Sequence, residues 1–389
     1  MQLYVGNCQE VLKILNNNSV DLVYLDPPFF SQKEYVSTSE YKYSFNDKWD
    51  NIEQYLNFMK SVFIEIHRIL KDTGSVFVHC DKYASHYLRC ELDKVFGINN
   101  FQSEIIWNYK RWSNSKKGLL NNHQNIYFYS KTKNFYFHKI MCDYSPTTNI
   151  DQILQLRERN QQGKIVYKID TNGNTIIPNS KNGVPLSDVW DIPFLNPKAK
   201  ERTGYPTQKP VLLLERIIDI ASKEGDTVLD PFCGSGTTLL AAQRKNRKYI
   251  GIDISEDAIN LTKERLAKNI VSKSELMAKG QERYINKTEK EISILNSISA
   301  VPVQRNKGID GFISGLTSKL IPVKIQKNNE TIEEAVRLLK IATKNKNFDY
   351  KILIRTSNFE NIKLFDNKSE LENIHVVDSA DLMIQNLVS

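Results

Sequence analysis

Hydrophobic positions fall into two alternating rhythms along the chain. Residues 20–25, Val-Asp-Leu-Val-Tyr-Leu, form a short apolar run that stops at Pro27 and Pro28, as a buried strand does where no backbone N–H follows. Over 52–70 the apolar residues Tyr55, Phe58, Met59, Val62, Phe63, Ile66, Ile69 and Leu70 recur at helical spacing, and Gly74 then opens a strand-like run over 75–79. A helix over 82–95 and strands over 104–109 and 125–129 follow. Between 143 and 204 the rhythm breaks into polar stretches carrying the turn pairs Asn172-Gly173 and Asn182-Gly183, which reads as an insertion. Order resumes with a helix over 211–223, a strand over 227–229, a glycine-containing turn, a helix over 237–245 and a strand over 249–252. Strands alternating with helices predict a doubly wound α/β sheet. Residues 269–300, rich in Lys, Glu, Ser and Asn, read as a linker or an exposed helix, and 301–389 as a small α/β unit.

Composition narrows the class. With 389 residues, 40% hydrophobic and 25% charged, the chain fits two folded units and neither wholesale disorder nor a fibrous repeat. No apolar run approaches the roughly 18 residues that span a bilayer, and the first residues carry no basic segment with an apolar stretch behind it. Neither secretion nor membrane insertion is expected. The cysteines (Cys8, Cys80, Cys90, Cys142, Cys233) are odd in number and lack a CxxC pair, which disfavours a disulfide framework or a zinc knot and suits a reducing cytoplasm. The formal charge of +8 is local: residues 108–204 hold 15 basic against 7 acidic side chains, and the remainder carries 38 of each sign. Such a segment is either an ordinary soluble surface or a face for a polyanion. Its interleaved aromatics, Trp107, Tyr109, Trp112, Tyr127, Phe128, Tyr129, Phe135, Tyr136 and Phe137, could stack bases, although most alternate as strand core does.

The strongest local chemistry is the turn Asp230-Pro231-Phe232-Cys233-Gly234-Ser235-Gly236-Thr237, placed between a strand and a helix. Glycines let the backbone approach a ligand where a Cβ would collide, and amides at a helix start attract an anionic group such as a carboxylate. Asp253 ends the next strand, at the offset where an acid can bind both hydroxyls of a ribose. Dinucleotide folds add a third glycine for the pyrophosphate. Here that position is Leu239, which favours a nucleoside cofactor without phosphate, and S-adenosylmethionine has both the ribose and the carboxylate.

Asp26-Pro27-Pro28-Phe29 follows a strand at its carboxyl end, where open α/β sheets bind ligands. Together with Gly74-Ser75-Val76-Phe77-Val78-His79-Cys80-Asp81, Glu104-Ile105-Ile106-Trp107, Gly204-Tyr205-Pro206-Thr207-Gln208-Lys209-Pro210 and the glycine turn, all in one order, the chain resembles the amino-methyltransferases of DNA. With the Asp-Pro-Pro-Phe motif first, the cofactor turn last and a basic insertion between, it is similar to their permuted β group. The resemblance covers residues 1–265. It implies a Rossmann-like class I methyltransferase sheet over 1–268 with a target-recognition insertion at about 108–204, a 269–300 linker and a small accessory α/β domain over 301–389. It further implies S-adenosylmethionine-dependent methylation of adenine N6 in double-stranded DNA by base flipping. On this reading Asp26 and the Pro27 carbonyl accept the amine N–H groups, Pro28 stiffens the loop and Phe29 stacks on the flipped base. Asn7, Lys209, Asp230, Phe232, Cys233, Gly234, Ser235, Gly236, Thr237 and Asp253 hold the cofactor, and Lys110, Arg111, Lys116 and Lys117 track DNA phosphates. No metal is called for. A cognate restriction endonuclease and a homodimer are further expected partners, in the cytoplasm.

Other assignments stay open at this level. Cytosine-N4 enzymes more often carry Ser in place of Asp26, and cytosine C5 chemistry would need a nucleophilic cysteine, for which Cys233 sits in the wrong motif. A silent DNA-binding module of the same fold is disfavoured by intact Asp26, Phe29, Gly234 and Gly236. An RNA or protein-amide methyltransferase is a third reading. Family members commonly have Gly-Asp-Cys near the amino terminus, where this chain has Gly6-Asn7-Cys8. Lys209 fits a helix start as well as a cofactor contact, and His79 reads as a structural histidine. In the last unit, Gly308-Ile309-Asp310-Gly311 and the following elements faintly resemble restriction-endonuclease-like folds. Lys324-Ile325-Gln326 reverses the polarity that metal binding would need there, so a metal-free remnant, a DNA-binding accessory or an unrelated small α/β module is expected.

Overall fold

A computed structural model describes residues 1–32, 34–36, 44–109, 118–142, 156–172, 176, 184–196, 199–271, 287–304, 306–314, 320–344, 348–357, 371 and 373–388. The chain divides into two compact units, Met1–Ala278 and Lys279–Ser389.

The first unit is built on an eight-stranded sheet of β1 (Gln2–Val5), β2 (Val20–Leu25), β3 (Leu70–Cys80), β4 (Phe101–Asn108), β5 (His123–Ser130), β6 (Val189–Asp191), β7 (Thr227–Asp230) and β8 (Lys248–Asp253). Their spatial order is β1-β8-β7-β2-β3-β5-β4-β6. All pairings are parallel except those of β5, which runs against β3 and β4. The chain leaves β2 through α2 (Ile52–Ile69) toward β3 on one side, and leaves β7 through α5 (Thr237–Arg244) toward β8 on the other. Neighbouring strands whose connections diverge leave a crevice at their carboxyl ends, and β2 and β7 are such a pair.

Alternation across β2 explains the two apolar layers. Leu22 and Tyr24 enter one core with α4 (Val211–Ala221), α5 and α6 (Glu256–Lys268). Val23 and Leu25 enter the other with α1 (Cys8–Ile14), α2 and α3 (Ser85–Phe96). Every residue of β2 is buried, including Asp21, whose carboxylate is paired with Lys71 at 2.8 Å. Asn7 caps α1 by accepting from the Gln9 backbone N–H at 2.9 Å. The helix over 82–95 begins later than its spacing suggests, at Ser85.

The segment 108–204 is not wholly an insertion. It contributes β5 and β6 to the main sheet, and Tyr109, Tyr127, Phe128, Tyr129 and Trp190 are buried there, as is Trp107 just before it, whereas Phe137 is exposed. Its described remainder holds one short hairpin, Arg157–Arg159 with Ile165–Tyr167, and an antiparallel pair of Met141–Cys142 with Val184–Pro185 that brackets it in sequence. Trp112 and the four DNA-contact candidates Lys110, Arg111, Lys116 and Lys117 lie outside the described residues.

The second unit carries the five-stranded sheet β9 (Val301–Pro302), β10 (Gly311–Ile313), β11 (Ile321–Ile325), β12 (Lys351–Arg355) and β13 (Ile374–Asp378) in sequential order. Part of the stretch read as a linker belongs to this unit. Thr288 and Glu291 form a reciprocal cap on α7 (Glu289–Ser297), and Leu295 and Ala300 enter the core with Val323 and Ile325. On the other face α8 (Ile332–Thr343) packs Ala335 and Leu339 against Ile309 and Leu353. The strand β13 and the last helix, α9 (Ala380–Val388), were not anticipated from the pattern.

Candidate active site

A cavity of about 460 Å³ opens at the carboxyl ends of β2 and β7. Asp26, Pro27, Pro28 and Phe29 form part of its wall, and Asp230, Phe232, Cys233, Gly234, Ser235 and Thr237 form another, with Asn7, Lys209 and Asp253 between. Motifs up to 227 residue positions apart in the chain thus share one cavity, because β2 and β7 pair in register at Leu22–Val228 and Val23–Leu229. Gly236 alone of the expected cofactor residues does not line it. It adopts a left-handed φ of +71°, and a Cβ there would run into Thr262 of α6 at 2.6 Å, so this glycine serves the packing of the turn on α6. The position of the missing third glycine has a local compensation. Leu239 fills the space that a Cβ on Gly251 would take, so the strand, not the helix, supplies the close approach.

The glycine turn is satisfied internally to a degree that its sequence does not reveal. Phe232 N–H donates to Asp230 Oδ1 at 3.0 Å and Gly234 N–H to Asp253 Oδ2 at 2.8 Å. Cys233 N–H donates to the Ile252 carbonyl and Gly236 N–H to the Cys233 carbonyl. The expectation that free amides here receive a carboxylate is therefore corrected for these four groups. Asp230 has its second oxygen on the Thr238 hydroxyl at 2.6 Å, and Asp253 accepts also from Ser255 N–H at 2.9 Å. Burial pushes the Asp230 carboxyl up to about 7 and raises that of Asp253. Burial likewise holds the Cys233 thiol well above its ordinary value, so this group is no thiolate nucleophile.

Lys209 lines the cavity and also makes a contact that its motif does not announce. Its ammonium pairs with Asp26 Oδ2 and lies 5.5 Å from the centre of the Phe29 ring, so it reaches the side chains at both ends of the Asp-Pro-Pro-Phe loop. Burial raises the Asp26 carboxyl, and the Lys209 charge and hydrogen bond oppose that rise. Asp26 Oδ1 is buried and has no hydrogen-bond partner among the described residues. His79 behaves as expected of a structural histidine. Its Nδ1 bonds Tyr24 Oη at 2.7 Å, its Nε2 bonds Gln124 Oε1 at 2.9 Å, and burial lowers it well below its usual range.

Several site residues escaped sequence reasoning. Tyr205 packs its ring where a Cβ on Gly234 would fall, at 3.0 Å. Asp47, Trp49 and Phe58 line the cavity from the segment after the Asp-Pro-Pro-Phe motif. Arg265, buried beneath the turn, donates to the Ser235 carbonyl and the Thr237 hydroxyl and faces Glu201 at 3.6 Å. Glu201 Oε1 in turn accepts from Val211 N–H at the start of α4. This buried pair links the glycine turn to the segment that delivers Lys209. Tyr205 and Lys209 stand in a motif already singled out, but the others carry no local signal.

A cavity at the switch point of a doubly wound sheet, with an acid-ended glycine turn facing a proline-stiffened carboxylate, defines a nucleoside-dependent group-transfer enzyme. A family profile described as DNA methylase matches residues 20–264, and a general methyltransferase-domain profile matches 222–371. The Type II methyltransferase M.HpaI of Haemophilus parainfluenzae is 32% identical over 266 residues, 68% of this chain and 74% of its own length. The DNA adenine methyltransferase YhdJ of Escherichia coli (strain K12) is 32% identical over 263 residues, covering 67% and 81%. The chain belongs to the DNA methylase family, the amino-methyltransferases of DNA. Among solved structures, the cytosine-N4-specific PvuII DNA methyltransferase is similar at a TM-score of 0.46 and 19% identity, covering 75% of this chain and 89% of that one.

Among the described residues no helix is long and apolar enough to cross a membrane, and no group of His, Cys, Asp and Glu is arranged to hold a metal ion. Asp310 illustrates why for the second unit. Its oxygens are taken by Lys287 at 2.5 Å, Lys327 at 2.9 Å and Ile325 N–H at 2.7 Å, with Lys324 at 3.7 Å.

Proposed function

We propose that this protein is a site-specific DNA methyltransferase that transfers a methyl group from S-adenosylmethionine to adenine N6 in double-stranded DNA, with the target base flipped out of the helix. The observation that carries the reading is the unpartnered Oδ1 of Asp26, in the wall of the same cavity as the glycine turn and Asp253. Support for adenine comes from YhdJ, named a DNA adenine methyltransferase. The cavity suits a nucleoside-sized ligand. Asp253 would hold the ribose hydroxyls, and Phe232, Asn7 and the Gly234 turn the rest of the nucleoside. S-adenosylmethionine, when bound, supplies a methyl group on a positively charged sulfur.

An exocyclic amine is a poor nucleophile because its lone pair is delocalised into the ring. Lys209 occupies Asp26 Oδ2, which fixes the carboxylate plane and leaves Oδ1 to accept one N–H. The Pro27 carbonyl accepts the other, and two acceptors held before the substrate arrives favour a tetrahedral nitrogen. Asp26 Oδ1 would take the proton that the amine nitrogen gives up once it carries the methyl group. Phe29, with His79 at 6.1 Å on one side and the Lys209 cation near its face, offers a fixed ring for the extruded base.

The Type II name of M.HpaI supports a cognate restriction endonuclease as counterpart, and five free cysteines suit the cytoplasm. A homodimer belongs to the same reading and is checked by sedimentation. The deciding experiment incubates the protein with duplex DNA and methyl-labelled S-adenosylmethionine, digests to nucleosides and identifies the labelled one. N6-methyldeoxyadenosine is expected; label on N4 of deoxycytidine would move the protein to the cytosine class, and unlabelled DNA would sink the reading.

A further inference from the structure

Four carboxylates line the cavity, and they differ in how their oxygens are used. Asp230 and Asp253 have both oxygens engaged by their own loops. Asp26 has Oδ2 on Lys209 and Oδ1 open to the target amine. The fourth, Asp47, is 1% exposed; its Oδ2 accepts from the Ser31 hydroxyl at 2.8 Å, the Phe29 backbone N–H also interacts with its carboxylate, and its Oδ1 has no well-formed hydrogen bond among the described residues. Trp49 Nε1, in the same cavity wall, is a buried donor equally without a partner there.

The segment that presents them is anchored. Gln32 adopts a left-handed φ of +57° and bonds both residues: its N–H donates to the Asp47 carbonyl at 3.2 Å, its Nε2 to the Trp49 carbonyl at 3.0 Å, and its Oε1 accepts Trp49 N–H at 3.1 Å. Trp49 is further packed edge-on to Tyr55 and against Phe58. A buried carboxylate oxygen and a buried indole N–H left unpaired are costly, so a site that holds both in place is complementary to a ligand bringing one donor and one acceptor. The amino-acid end of the methyl donor brings both, as an ammonium and a carboxylate. Four amides of the glycine turn, the anchor its sequence suggested, are already spent.

We propose that Asp47 and Trp49 hold the amino-acid head of the methyl donor, Asp47 Oδ1 accepting from the α-ammonium and Trp49 Nε1 donating to the α-carboxylate. The assignment rests on the S-adenosylmethionine reading above and names the part of the cavity that takes the non-nucleoside end.

The test is calorimetric binding to the full chain with two ligands: S-adenosylmethionine, and 5′-methylthioadenosine, which keeps the nucleoside and lacks the amino-acid head. Asp47→Asn should weaken S-adenosylmethionine roughly 10- to 100-fold, the size of a lost charge-assisted hydrogen bond, and leave methylthioadenosine unchanged. Retained methylthioadenosine binding also shows that the variant is folded. Trp49→Phe should weaken S-adenosylmethionine by about tenfold or less in the same selective way. Equal S-adenosylmethionine affinity in wild type and Asp47→Asn, with or without a raised KM for DNA, would overturn the proposal, as would an equal loss for both ligands. Wild-type protein that binds neither ligand would instead overturn the cofactor reading and the proposal with it.

Discussion

Asp26 of the first unit, half-buried, and Asp310 of the second, fully buried, are both aspartates beside lysine, yet the protein treats them in opposite ways. Asp310 receives Lys287, Lys327 and the Ile325 amide, and its cationic surroundings hold its carboxyl below the ordinary range against the burial that would raise it. Asp26 has one lysine, keeps an oxygen without a donor, and is pushed up by burial. Asp47 repeats the second condition, raised to about 7 chiefly by burial, with the Asp26 charge adding to the rise. An acid whose bonds are all made within the fold acts as a structural tie, whereas an acid left one bond short inside a cavity keeps that bond for a ligand.

The largest effect that would test this contrast is at Asp26. Asp26→Ala should lower methyl transfer by roughly 10³-fold or more while changing calorimetric S-adenosylmethionine affinity little, since in the proposed mechanism the carboxylate serves the base. Near-normal turnover would break the contrast at its functional end. At the structural end, Asp310→Asn should destabilise the second unit by about 3–5 kcal/mol, because Lys287 is left buried beside a neutral group, while Lys324 keeps Glu330 at 2.7 Å. Hydrogen exchange over β10–β12 reports that loss, and exchange over β2 and β7 should not change. Metal-dependent nicking of plasmid DNA that disappears in this variant would make Asp310 a metal ligand and the unit a nuclease.

Gly234→Val sharpens the picture of the cavity itself. The added Cβ meets the Tyr205 ring at 3.0 Å from a backbone at φ +48°, so S-adenosylmethionine affinity should fall by about tenfold or more. Retained affinity would separate the turn from the ligand.

Acidity should distinguish the units more gently. Acids raised by burial bind protons more tightly in the folded state, so the first unit should gain stability as pH falls from about 8 through about 7, where Asp47 and Asp230 titrate. Asp310 is lowered, so its contribution to the second unit persists at these pH values and is lost only as pH falls from about 4, the unfolded value, through its lower folded one. Exchange rates corrected for intrinsic pH dependence would show this opposition; parallel slopes in the two units would remove it.

The smallest expected effect concerns DNA. If residues 108–204 track phosphates, affinity falls with salt, and neutralising Lys110 and Arg111, or Lys116 and Lys117, reduces the slope by about one unit per lost contact. A salt-independent affinity would return that segment to ordinary surface charge.

The elements of the first unit were legible because strand and helix periodicities are local properties of the chain. The apolar run at 20–25 stops at consecutive prolines, and the spacing from Ile52 to Ile69 admits only a helix. The motifs at Asp26 and Gly234 were legible for the same reason, since steric needs of a turn are written into adjacent residues. Less visible was membership in the sheet for β6, three residues long, and membership in the second core for α7, whose single fully buried apolar residue is Leu295. Short elements carry too few positions for a period to show.

The sequence by itself determined the alternation of strands and helices, the glycine turn with its acid, and the rigid Asp-Pro-Pro-Phe loop, because each depends on neighbours within a few residues. Only the tertiary structure decided which polar groups are spent and which remain. Lys209 meets Asp26 across 183 positions, Arg265 reaches Ser235 from another helix, and Asp47 faces a cavity it shares with Asp253. Hydrogen-bond satisfaction is a property of atoms brought within about 3 Å, and distance along the chain says nothing of it.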